Sequence, residues 1–77
     1  MPFIHVWAYS GRDDETKRKA ALAMVKAASE AIGAPEAAFT VAFEEVGREL
    51  WDKDVEQAII EPLSDKLLIK HGKPVND

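Results

Sequence analysis

The chain is predicted to be an α+β protein: a strand–helix–strand unit, followed by a helical extension, whose sheet is completed by oligomerisation. Three observations predict this. Residues 3–9, FIHVWAY, and residues 38–46, AFTVAFEEV, both alternate with the two-residue period of a strand. Between them, DETKRKAALAMVKAASEAI repeats its apolar residues at helical spacing. The chain has 77 residues and no cysteine, so it buries only about 60% of its unfolded surface and has no disulfide to compensate. Strand, helix and strand joined by short connections make a βαβ unit with parallel strands and a right-handed crossover. Two parallel strands do not stand alone.

The first strand begins behind Pro2, and that proline has two readings. It can simply start a strand, where its missing N–H costs no ladder hydrogen bond. Alternatively, Met1 is removed, as is usual before a small second residue, and Pro2 becomes a free secondary amine. Alternation then places Ile4, Val6 and Ala8 on one face and Phe3, His5, Trp7 and Tyr9 on the other. The aliphatic face asks for a helix and the aromatic face for another surface, such as a second subunit. His5 is accordingly expected in an interface or a core.

Ser10 and Gly11 end the strand, and Asp13 is placed to cap a helix of about five turns, with Asp14 and Glu15 in its first turn. Ala21, Val25, Ala28 and Ile32 form one face with Leu22 and Met24 beside them; Glu15, Lys19, Lys26 and Glu30 lie opposite. Gly33 ends the helix and Pro35 prevents its resumption. In the second strand Phe39, Val41 and Phe43 alternate with Thr40, Ala42 and Glu44.

Beyond Gly47, Asp52 or Asp54 can cap a helix carrying Val55, Ile59 and Ile60. Pro62 either kinks that helix or occupies the first position of a second, with Glu61 as its cap and Leu63, Leu67 and Leu68 as its stripe. Residues 73–77 are expected to fray or to drape on a neighbour. There is no internal repeat, linker or low-complexity segment, so residues 1–77 are expected to form one domain.

The net charge of −4 comes from scattered acidic residues, which disfavours nucleic acid as a partner. Lys17, Arg18, Lys19 and Lys26 share one helix and read as a solvated face, with no ligand assigned. His5 and His71 are the only imidazoles, too few for a metal site. No basic segment precedes an apolar stretch, and no window approaches the roughly 20 apolar residues of a membrane span. A soluble cytoplasmic protein without a membrane partner is expected.

With Met1-Pro2 opening a strand, Gly11-Arg12 closing it, DDETKRKAALA starting the helix and a second strand ending shortly before Trp51, the chain resembles the tautomerase superfamily of 4-oxalocrotonate tautomerase over residues 2–51. Its extension past Trp51 is similar to that of the longer, dimeric phenylpyruvate-tautomerase-like members. The resemblance implies a cofactor-independent isomerase that moves a proton between the enol and keto forms of a small 2-oxo acid, with the Pro2 amine as general base. A proline amine is more basic than an ordinary α-amino group of pKa about 8 and must be acidified to act as a base at neutral pH. An apolar pocket and a neighbouring cation both do this, and Phe3, Trp51 and Arg12 can supply them.

By the same motif match, Arg12 resembles the arginine that grips the substrate carboxylate in a bidentate pair; taken alone it is equally a surface residue at a strand end. Trp51 matches an aromatic wall that shields the amine, and is equally a core tryptophan. One departure matters. Where the hexameric members carry an arginine early in the second strand, this chain has Thr40. Arg48, reaching in from the loop after the strand, a water or a backbone N–H would have to polarise the keto oxygen instead. A 2-oxo acid with one carboxylate and an apolar or aromatic tail is therefore favoured over a dicarboxylate such as 2-hydroxymuconate. The implied assembly is a homodimer, with a hexamer as the other option.

Two other readings compete. A hydratase, dehalogenase or decarboxylase on the same scaffold needs a protonated Pro2 and a carboxylate to activate water, for which Glu44 and Glu45 are the candidates. A catalytically silent oligomerisation module would need no free proline and would retain Met1.

Overall fold

The computed structural model describes residues 1–75, in two compact units that divide after Gly47.

In the first unit β1 (Phe3–Tyr9) leads through α1 (Asp14–Ile32) and a 3-10 turn (Glu36–Ala38) to β2 (Thr40–Val46). The strands pair in parallel, from Phe3 opposite Thr40 to Tyr9 opposite Val46. The ladder is prolonged at its head by the Thr40 N–H donating to the Pro2 carbonyl and at its tail by the Ser10 N–H donating to the Val46 carbonyl, each at 3.1 Å. The predicted βαβ unit is present. In a parallel pair, opposite residues share a face. Ile4, Val6 and Ala8 therefore lie with Val41, Phe43 and Glu45, and Phe3, His5, Trp7 and Tyr9 with Thr40, Ala42, Glu44 and Val46. Helix α1 covers the first of these faces, leaving an open groove of about 280 Å³ between its Lys17, Arg18 and Ala21 and the strand residues Val41 and Phe43.

The helix is bounded as its sequence predicts. Asp13 Oδ1 accepts the Thr16 N–H at 2.8 Å, and Gly33, at φ 84°, donates its N–H to the Ser29 carbonyl at 2.9 Å. Strand β2 starts two residues later than predicted. The Ala38 and Phe39 amides donate to the Pro35 and Glu36 carbonyls, at 3.0 and 3.1 Å, and are spent on the 3-10 turn before the ladder begins.

Neither strand of this unit nor α1 buries a residue fully. Ile32, expected on the inward stripe, is 65% exposed, and Leu22 is 70% exposed. A helix of 19 residues, about 28 Å long, overruns strands of seven residues, about 23 Å long.

The second unit starts helical at once: α2 (Arg48–Trp51) runs into a π-helical stretch (Asp52–Ile60) and a 3-10 stretch (Glu61–Lys66). The helix thus begins upstream of Asp52 and Asp54, and neither caps it. Asp52 instead accepts from the Gln57 side chain at 2.7 Å. Arg48 accordingly sits in a helix and not in a loop. The Glu61 N–H donates five residues back to the Glu56 carbonyl, and Pro62, which has no N–H to place, stands at the start of the 3-10 stretch. Val55 is the one fully buried side chain among the described residues, 1% exposed.

The predicted stripe of Leu63, Leu67 and Leu68 does not form, because Leu67 is extended (φ −72°, ψ 127°) and Leu68 is 81% exposed. Nor is the tail frayed through residue 75. Strand β3 (Ile69–Lys70) pairs antiparallel with β4 (Lys73–Pro74), and the Val75 N–H donates to the Leu68 carbonyl at 2.8 Å. His71 and Gly72 both take positive φ, 51° and 78°, as a two-residue hairpin loop requires. Asn76 and Asp77 lie outside the described residues. Among the described residues no helix is long and apolar enough to cross a membrane.

Candidate active site

Pro2 stands at the head of β1, partly buried, with its carbonyl tied to Thr40. Met1, the residue before it, is 99% exposed. Phe3, 61% exposed, and Thr40 are opposite one another in the ladder. The position that lacks an arginine is therefore the immediate neighbour of the proline.

Arg12 lies at the other end of the strand. One guanidinium N–H donates to the Tyr9 carbonyl at 2.9 Å, and the Arg12 backbone N–H donates to Glu45 Oε2 at 3.1 Å. The seven residues of β1 separate the two ends by about 23 Å at roughly 3.3 Å per residue. Within one chain, Pro2 and Arg12 do not meet. Arg48 and Trp51 belong to the second unit and share one turn of α2, three residues apart. Both have interaction partners.

Sequence reasoning missed the engagement of Glu45. Its Oε1 accepts from Lys17 Nζ at 3.2 Å, and its side chain is only 17% exposed. Alternation along β2 carries the signal, since it places Glu45 on the same face as Val41 and Phe43, where a carboxylate needs donors. The Arg12 amide first, and Lys17 second, hold the Glu45 carboxyl below the usual carboxylate range. Glu45 in turn pushes the Lys17 ammonium up, with a smaller contribution from Asp14, 3.4 Å away. Lys17 is thus a paired residue, not part of a freely solvated face.

On the opposite sheet face His5 Nε2 lies 2.5 Å from Glu44 Oε2. Its ring meets those of Phe3 and Trp7 at a tilt, with centroids 5.6 and 4.8 Å away. Of the two carboxylates considered for activating water, Glu44 is therefore paired with an imidazole and Glu45 with an ammonium and an amide. Among the described residues no group of three or more histidine, cysteine, aspartate or glutamate side chains is placed to hold a metal ion.

The turn that carries Arg12 depends on Gly11, at φ 126°. No atom lies within 4 Å of the position that a Cβ would take there, so a side chain would strain only the backbone. Gly11→Ala is expected to destabilise the protein by about 1–3 kcal/mol. That corresponds to a fall in Tm of at least about 4 °C for a chain of this size, and an unchanged thermal melt would refute it.

The same turn is acid-sensitive. Thr16, through its side chain and then its amide, holds the Asp13 carboxyl below its ordinary value, as the Arg12 amide and Lys17 do for Glu45. A carboxyl whose pKa is depressed by folding contributes stability above its unfolded pKa and loses it as pH falls through the folded one. Tm is expected to hold steady between about pH 7 and 5 and to decline below about pH 4. In the Asp13→Asn, Glu45→Gln double variant the decline should be shallower.

A family model described as "Tautomerase enzyme" matches residues 2–52, from the proline at the head of β1 to the residue that follows α2. No curated protein matches the chain.

Proposed function

The chain belongs to the tautomerase family, and from that premise we propose that it is a cofactor-independent isomerase interconverting the enol and keto forms of a small 2-oxo acid. In this reading residues 1–77 act as one domain, Met1 is removed, and the Pro2 amine is the general base. The amine takes the proton from the C2 hydroxyl as the C2–oxygen double bond forms, and the resulting ammonium returns a proton to C3. No redox partner is needed and the amine is regenerated.

The observation that carries this reading is the placement of Pro2. Its carbonyl is fixed by Thr40 at 3.1 Å, so loss of the exposed Met1 would leave a secondary amine on an ordered strand end. Beside it, Thr40 supplies no cation, which leaves Arg12 to hold a single carboxylate. A 2-oxo acid with an apolar or aromatic tail fits that charge count, with Trp51 as the shielding wall and Arg48 as the group that polarises the keto oxygen.

Because β1 separates Pro2 from Arg12 by about 23 Å, the working site takes the amine from one copy and the guanidinium from another. Two first units set side by side with their β1 strands antiparallel bring the head of each strand to the tail of the other. The same assembly, a homodimer with a hexamer as its larger form, would cover the exposed apolar residues of a unit with no fully buried strand or helix residue. A soluble cytoplasmic setting accords with it.

A spectrophotometric enol–keto assay tests the reading with phenylpyruvate and 2-hydroxymuconate. Phenylpyruvate is expected to turn over faster. A preference for 2-hydroxymuconate would overturn the single-carboxylate assignment, and no rate above buffer with either would overturn the isomerase.

A further inference from the structure

We propose that Glu45 is the positioning residue for Arg12, orienting it from the end of β2 without touching the substrate. The inference rests on the reading of Arg12 as the carboxylate grip. Glu45 lies 33 residues from Arg12 in the chain, yet the register sets it beside Ala8, one pair before the strand ends. Its two oxygens divide their work. Oε2 accepts the Arg12 backbone N–H at 3.1 Å, and Oε1 accepts Lys17 Nζ at 3.2 Å.

Arg12 is thereby attached twice, through its amide to β2 and through one guanidinium N–H to the Tyr9 carbonyl at the end of β1. These two bonds set the direction in which its remaining donors point. Gly11, at φ 126°, gives the turn the backbone conformation in which the Arg12 amide meets Glu45. Lys17 is meanwhile held by Glu45 and Asp14, whereas the Arg12 guanidinium spends one N–H on the Tyr9 carbonyl and has further donors for a carboxylate. A carboxylate accepting from an amide and an ammonium is also a poor base for water, which argues for a positioning role over a chemical one.

A mutant cycle with the full chain tests this, read as kcat and KM for phenylpyruvate. Glu45→Ala is expected to raise KM about 5- to 10-fold with kcat nearly unchanged. Glu45→Gln, which keeps a carbonyl for the Arg12 amide, should recover most of that loss. In an Arg12→Ala background Glu45→Ala should raise KM no further. Amide exchange at Arg12 supplies a second readout: protection is expected to survive in Glu45→Gln and to vanish in Glu45→Ala. If Glu45→Ala fails to fold, Glu45→Asp replaces it, one methylene too short to reach both partners. Additive effects of Glu45→Ala and Arg12→Ala on KM, or a fall in kcat alone, would overturn the proposal while leaving the substrate grip standing. An Arg12→Ala protein with unchanged KM would remove the grip itself and the positioning role with it.

Discussion

Protein that keeps Met1 is expected to lose about 10²- to 10⁴-fold in kcat/KM, the usual contribution of a general base. With Met1 present the Pro2 nitrogen is an amide and cannot take a proton, while the nearest amine moves one residue away from the strand that holds Pro2 by its carbonyl. Acetylation of a Pro2 terminus should have the same effect, by removing the base without moving it. Pro2→Ala keeps a primary amine and should retain weak activity. The sign of the pH dependence separates the chemistries: an amine acting as base gives a rate that climbs as pH rises through its pKa, whereas an amine acting as acid in a hydratase gives one that falls. Full activity in a preparation that intact mass shows to be entirely Met1-bearing would eliminate the mechanism.

Arg12→Ala is expected to raise KM for a 2-oxo acid about 10- to 100-fold, the range for losing hydrogen bonds to a charged group, with a smaller effect on kcat. A carboxylate grip acts on substrate and transition state alike, so its loss appears mainly in KM. Removal of a cation near the amine should also raise the amine pKa and move the rising limb of the pH–rate profile upward. Mixing tests where the two groups meet. At substrate well below KM, Arg12→Ala subunits and Met1-retaining subunits are each expected to be nearly silent, but a mixed dimer holds one site with both an intact amine and an intact guanidinium. At equal mixing about a quarter of the wild-type activity should return. No recovery after verified subunit exchange would show that the site does not draw on two copies.

The first unit was readable because its signals are local. Period-two alternation specifies β1, and Asp13 and Gly33 bound α1 through hydrogen bonds that reach only three or four residues along the chain. Strand β2 starts two residues inside its apolar pattern because the preceding amides turn back on Pro35 and Glu36, a choice that the pattern does not report. In the second unit Pro62 and the wide π-helical turns left no clean period. The closing hairpin was missed because one residue of its loop is a histidine with positive φ, a conformation that sequence patterns assign to glycine or asparagine.

The sequence by itself determined the βαβ order, the proline behind Met1, the arginine at the strand end and the threonine in place of a second arginine, since residue identity and short-range periodicity are all that these require. Only the tertiary structure decided that Thr40 is tied to the Pro2 carbonyl and that Glu45 closes on the Arg12 turn. Both depend on strand register, which is settled by pairing between segments more than thirty residues apart, and a slip of one residue would have turned Glu45 to the other face of the sheet.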